Sequence, residues 1–140
     1  MRINETLSFS SHSHLDLKKL IEQSFVLLGV PKQKLGRFDA FSTIQVQLKN
    51  NVLINVSLEN DRLWIWSPIF LNERQLIEKA SVLIPIITTA MAQVETAQFN
   101  LGMAEQHYEL KALISPIDLT EKHLANLINF IFIAIKQLAE

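Results

Sequence analysis

From Asp16 onward apolar residues recur at intervals of three and four. Leu17, Leu20, Ile21 and Leu28 fall on one stripe with Ser24, and Gly29 and Pro31 follow. That spacing is one face of an amphipathic helix of about three turns, closed by the residues that end helices. The period then changes to two. Ile44, Val46 and Leu48 alternate with Thr43, Gln45 and Gln47, and after Lys49, Asn50 and Asn51 the set Val52, Ile54, Val56 and Leu58 alternates again. Two strands joined by a short turn are predicted. A second turn at Glu59, Asn60 and Asp61 leads into Arg62 to Ser67, rich in tryptophan and isoleucine, which predicts a third strand ended by Pro68.

The helical period returns at Asn72, which with Gln75 has the spacing of a capping box. The apolar set Leu76, Ile77, Ala80, Leu83, Ile84, Ile87 and Met91 shares one helical face, with a kink expected at Pro85. Alternation resumes at Ala97, Phe99 and Leu101, turns around Gly102 to His107, and continues through Tyr108, Leu110, Ala112 and Ile114. Pro116 and Asp118 open a last helix, with Asp118 and Glu121 as a cap pair and a broad apolar arc from Leu124 to Leu138. Residues 1–14 are polar and read as a flexible extension. Residues 15–140 read as one α+β domain in the order α-β-β-β-α-β-β-α with a mainly antiparallel sheet.

Two faces carry more apolar surface than one core requires. On the second helix Val82 and Ile86 interrupt a polar side made by Gln75, Glu78, Lys79, Thr89 and Gln93, which fits either a second copy of the chain or a covering loop of the same chain. On the third strand Trp64 and Trp66 share one side and Leu63 and Ile65 the other, so both faces need cover, from this chain's helices or from a partner. Ile133, inside the polar stripe of the last helix, gains meaning only if apolar neighbours join it in space.

Composition narrows the chemistry. With 140 residues, 49% of them hydrophobic and 19% charged, the chain can bury a true core. Thirteen basic and fourteen acidic side chains leave a net charge of −1, with no field to gather nucleic acid or anionic lipid. There is no cysteine for a disulfide, a thiolate metal site or a nucleophile. The amino terminus shows no signal-peptide pattern, and Leu127 to Ile135 is far short of the roughly 20 apolar residues of a membrane span. Three glycines, Gly29, Gly36 and Gly102, cannot write a phosphate-binding loop, and no serine sits in a nucleophile elbow. His12, His14, His107 and His123 lack metal-ligand spacing. No catalytic residue, cofactor or metal site is therefore expected. The one basic cluster, Lys18, Lys19, Lys32, Lys34 and Arg37, fits a solvated face or a docking surface for an acidic segment of a protein partner.

Four stretches in order, Leu15 to Gly29, Phe41 to Ile44, Leu63 to Trp66 and Glu109 to Leu113 before Pro116, resemble the class IB chaperones of bacterial type III secretion, the SpaK/InvB group. The resemblance implies a small cytoplasmic homodimer in bacterial virulence, without catalysis or cofactor, whose second helix lies at the dimer interface. It implies binding to the N-terminal segments of one or several secreted effectors, held extended and presented to the export ATPase or sorting platform. An extended segment can add a strand to an open sheet edge, at the first strand or at the far edge. On that pattern Ile44, Val46, Trp64, Trp66, Phe99 and Leu101 are cargo-contact candidates, and Ile77, Val82, Ile86 and Met91 are dimer candidates. The alternative is a permanent dimeric scaffold of the secretion machinery. The nearly neutral charge, where such chaperones are usually acidic, leaves apolar patches and backbone pairing as the main attraction for cargo.

Overall fold

The computed structural model describes residues 14–35 and 43–140. The extension up to residue 13, and Gly36, Arg37, Phe38, Phe41 and Ser42, lie outside the described residues. Helix α1 (His14–Leu27) begins two residues before the expected Asp16 and buries Leu17, Ile21 and Phe25. It ends as its sequence requires. Gly29 takes a left-handed φ of 85°, its N–H donates to the Val26 carbonyl at 2.9 Å, and the Val30 N–H donates to the Phe25 carbonyl at 3.0 Å. This pair of crossed bonds satisfies carbonyls that the helix end would otherwise leave open.

Strands β1 (Ile44–Gln47), β2 (Leu53–Glu59), β3 (Arg62–Ile69), β4 (Asn100–Met103) and β5 (Tyr108–Ile114) form an antiparallel sheet in the order β1-β2-β3-β5-β4. The β2–β3 turn is made by Asn60 and Asp61, both left-handed at φ 50° and 62°, the conformation whose twist suits a tight hairpin. Asn50 and Asn51 also take positive φ, both 60°, between β1 and β2. Asparagine and aspartate tolerate this region better than other side chains do. Pro68 does not end β3 as expected. The β2–β3 ladder stops at Asn55 and Trp66, while β5 continues alongside to the pair of Ile69 and Tyr108, so the strand runs past the proline where β2 is no longer beside it.

The second helix is two helices. Asn72 caps α2 (Glu73–Glu78) with the expected box: the Gln75 N–H donates to Asn72 Oδ1 at 2.8 Å and the Asn72 N–H to Gln75 Oε1 at 2.9 Å. The chain breaks at Lys79, not at Pro85, and restarts as α3 (Ala80–Thr88). Pro85 and Ser81, whose carbonyl loses its N–H partner to the proline ring, both face solvent, so α3 carries the proline without breaking. The break turns the buried side toward Leu76, Leu83 and Ile86, and leaves Ile77 and Ile84 outside.

The last helix, α4 (Glu121–Ala139), is capped by Thr120, whose hydroxyl accepts from the His123 N–H at 3.2 Å. Asp118, the expected cap, instead takes φ 53° and meets the His123 ring through its backbone carbonyl, 2.9 Å from Nδ1. Along α4 the residues Leu124, Leu127, Ile128 and Ile131 are fully buried against β2 and β3, and α1 packs along α4. Together with Ile54, Val56, Leu63, Ile65, Leu110, Ala112 and Ile114 on the inner sheet face they form one core. At the sheet's far corner the Arg62 guanidinium pairs with Glu95, and the Glu95 N–H donates to the Leu113 carbonyl at 2.9 Å. These contacts hold the turn before β4 against the rest of the sheet.

Candidate functional site

Strand β1 is one outer edge of the sheet among the described residues. The Leu48 N–H donates to the Val52 carbonyl at 2.7 Å, and antiparallel ladders alternate bonded with unbonded residues. With the register Ile44–Val56, Val46–Ile54 and Gln47–Leu53, the bonded pairs are those of Ile44 and Val46. The N–H and C=O groups of Gln45 and Gln47 consequently point away from β2, along the edge. Their side chains lie on the outer face and are held locally: Gln45 Nε2 donates to Asn55 Oδ1, and Gln47 Nε2 to Asn51 Oδ1, each at 3.0 Å.

A groove of about 830 Å³ follows this edge. Its floor and walls come from Gln45, Gln47, Leu48 and Leu53 of the sheet, Leu28, Val30 and Pro31 after α1, and Phe132 of α4, with Lys34, Lys49 and Asn129 at its polar positions. The size suits a short peptide segment, since ligand clefts run from about 300 to 1,000 Å³. Val26 and Leu27 extend the apolar surface from Leu28 beyond the groove, with Leu27 59% exposed. Three consecutive exposed apolar residues at the end of a helix exceed what its packing needs. The chemistry on offer is a row of peptide hydrogen bonds beside apolar wall, with no acid–base pair among the described residues that line it.

The expected site residues distribute unevenly. Ile44 and Val46 are buried, at 4% and 1% exposure, because the bonded positions of β1 turn their side chains to the core. Phe99 is also buried, its ring stacked on Phe130 with centroids 5.1 Å apart, and Leu101 is half-buried against the core. None of these four presents a free side chain comparable to those of the groove. Trp64 and Trp66 lie half-buried on the outer sheet face, where Lys111 Nζ sits 5.6 Å from the centre of the Trp64 ring. Of the dimer candidates, Ile77 is exposed, whereas Val82 and Met91 pack against the core and Ile86 is buried.

Several exposed residues were not anticipated. Ile84 joins Ile77 on the solvent side of α2 and α3, Phe70 follows β3 at 74% exposure, and Met103 ends β4 at 70%. Ile133 is joined in space, since it lines a cleft of about 570 Å³ with Val82, Pro85, Ile86 and Phe130. The run from Phe25 to Leu28 was a readable signal for the groove, because four successive apolar residues cannot all face one side of a helix. The outward backbone of Gln45 and Gln47 had no such signal.

Comparison with known proteins identifies the family and the fold. Residues 29–105, which include the groove wall after α1 and all of β1 to β3, match the model of the invasion protein B family. The chain belongs to that family. Two curated relatives are both called surface presentation of antigens protein SpaK, from Salmonella typhimurium and Salmonella typhi; each is 27% identical over 106 residues, covering 74% of this chain and 77% of the relative. A solved structure titled as the HopA1-SchA chaperone-effector complex matches with a TM-score of 0.61 over 88% of this chain and 92% of that one, at 18% identity. The chain therefore shares the fold of that chaperone, and family, relatives and fold together support the class IB type III secretion chaperone that the sequence resembles. Family and fold point to a non-enzymatic protein. Among the described residues no helix is long and apolar enough to cross a membrane.

Proposed function

We propose that this chaperone binds the N-terminal segment of one or several secreted effectors in extended form, with the β1 edge as the pairing strand, and delivers it to the export apparatus. The observation that carries this reading is the groove beside Gln45 and Gln47, where outward peptide groups run next to Leu28, Val30, Pro31 and Phe132. An unfolded segment laid there gains backbone hydrogen bonds at any sequence, and side-chain specificity from alternate residues. Apolar side chains that would drive an exposed effector to aggregate are covered meanwhile.

The same reading assigns the exposed side chains of Ile77 and Ile84 to a homodimer. A two-fold pair brings the same patch of each copy together, so a helix face can meet its own twin. The compartment is the bacterial cytoplasm, and the export ATPase or sorting platform receives the complex.

The test is co-expression with N-terminal segments of secreted effectors, followed by size-exclusion chromatography with light scattering. A complex of two chaperones and one segment, lost when Gln47 is replaced by proline, is expected. A dimer that ignores every segment tried would overturn the effector-binding reading and leave a permanent scaffold.

A further inference from the structure

The groove beside β1 has a sign. Two lysines, Lys34 and Lys49, line it, and among the described residues no carboxylate does. Neither lysine belongs to an ion pair among the described residues. Glu22, an acidic side chain on nearby α1, lies 3.9 Å from both Lys18 and Lys32 and is engaged by them. The basic cluster of the sequence thus divides: Lys18 and Lys32 are balanced by Glu22, whereas Lys34 stands at the groove and is joined there by Lys49 from the turn that follows β1.

We infer that the segment accepted by this groove is acidic at its flanks: alternating apolar residues against Leu28, Val30, Leu48 and Phe132, and at least one aspartate or glutamate meeting Lys34 or Lys49. The inference rests on the β1-edge reading given above and adds the charge of the occupant. Long-range steering has no part in it, because the chain's net charge is −1. The attraction acts at contact, where a carboxylate beside a lysine without a partner forms a new pair and a lysine in the same place meets two like charges. A chaperone that is nearly neutral overall can therefore still select segments by charge at one edge.

The probes are three short fluorescein-labelled peptides with one alternating valine–threonine centre and flanks of aspartate, asparagine or lysine, titrated into the full chain by fluorescence anisotropy. The aspartate-flanked peptide is expected to bind about three- to tenfold more tightly than the asparagine-flanked one, as two partly exposed pairs allow. The lysine-flanked peptide should bind most weakly. Lys34→Gln with Lys49→Gln should bring the aspartate and asparagine peptides to within about twofold of each other, as should high salt, without moving the melting temperature. Equal binding of aspartate and asparagine flanks to the unaltered chain, or a preference that survives the double substitution, would overturn the acidic-flank inference. If the asparagine peptide binds and Gln47→Pro abolishes it, edge pairing stands even then. If no peptide binds, both readings fail together.

Discussion

The two edges of the sheet are built for different neighbours. At β1 the outward backbone belongs to Gln45 and Gln47, whose amide side chains are tied down on the outer face, and the edge is recessed in a groove walled by helix ends. At β4 the Ala104 N–H donates to the His107 carbonyl at 2.8 Å, so alternation assigns the outward backbone to Leu101 and Met103. That edge is as short as β1 and ends in a largely exposed methionine. Natural sheets guard their edges against indiscriminate pairing, and an edge with polar side chains set in a groove is better guarded than one that ends in an exposed apolar side chain. On the proposed reading, β1 takes a guest that enters and leaves, whereas Ile77 and Ile84 take lasting cover from a second copy of the chain.

The largest effect should separate these two demands. Ile77→Asp with Ile84→Asp puts charges at two positions already exposed in the protomer, so the fold survives while a dimer through them weakens by at least about a hundredfold, roughly 2.7 kcal/mol. Light scattering would show the mass halved at micromolar concentration. An unchanged dimer would move the interface elsewhere, with Met103 the next surface to alter.

Gln47→Pro is the matching break at the other edge. The Gln47 N–H points outward, so a proline there removes a donor that the β2 ladder does not use. Binding of an effector segment should fall about tenfold or more, near 1.4 kcal/mol, with the dimer mass untouched. Loss of folding would mean that the register argument for β1 is wrong.

Much of this contrast could not have been read from the chain alone, for identifiable reasons. The alternation of β1 to β3, the Asn72–Gln75 box and the glycine stop after α1 depend on neighbours in sequence, and each appears as expected. What escaped depends on contacts between elements. The alternation around Phe99 marks it as a strand residue but cannot show that Phe130 of α4 covers it. Val82 and Ile86 looked like the exposed side of a continuous helix, and a break at Lys79 turned them inward and Ile84 outward. Ile44 and Val46 alternate as a strand should, but which of the β1 residues turn their backbone outward depends on the pairing with β2, and those are Gln45 and Gln47.

A smaller effect concerns how the β4 edge is held. Arg62→Ala removes the partner of Glu95, whose side chain is 15% exposed, while Arg62 itself is 41% exposed. A pair intermediate between surface and buried contributes about 1–2 kcal/mol. Global stability should fall by that amount in a denaturant titration. Amide exchange should quicken in the 91–103 region more than in β1 and β2, because the turn bound to Leu113 loses its side-chain tether. Equal quickening at both edges would mean that the ion pair supports the whole sheet.

The smallest effect is the most diagnostic of the outer face. Gly102 on β4 leaves room for Lys111: a Cβ there would stand 2.7 Å from Lys111 Cε. Gly102 faces Glu109 across a bonded pair, so its backbone serves β5 and its missing side chain lies on the outer face with Trp64, Trp66 and Lys111. In Gly102→Ala the flexible end of Lys111 must move and give up its place 5.6 Å from the Trp64 ring, a contact contributing about 0.5–1 kcal/mol. The alanine returns about the same amount by narrowing the unfolded chain's freedom. Stability should therefore stay within about 1 kcal/mol of the original, with a shift in tryptophan fluorescence as Lys111 leaves. Because the outward groups of β4 are those of Leu101 and Met103, dimer mass and β1-edge binding should both be unchanged. A loss of dimer in this variant would tie the outer face to the β4 edge and remove the separation between the two edges.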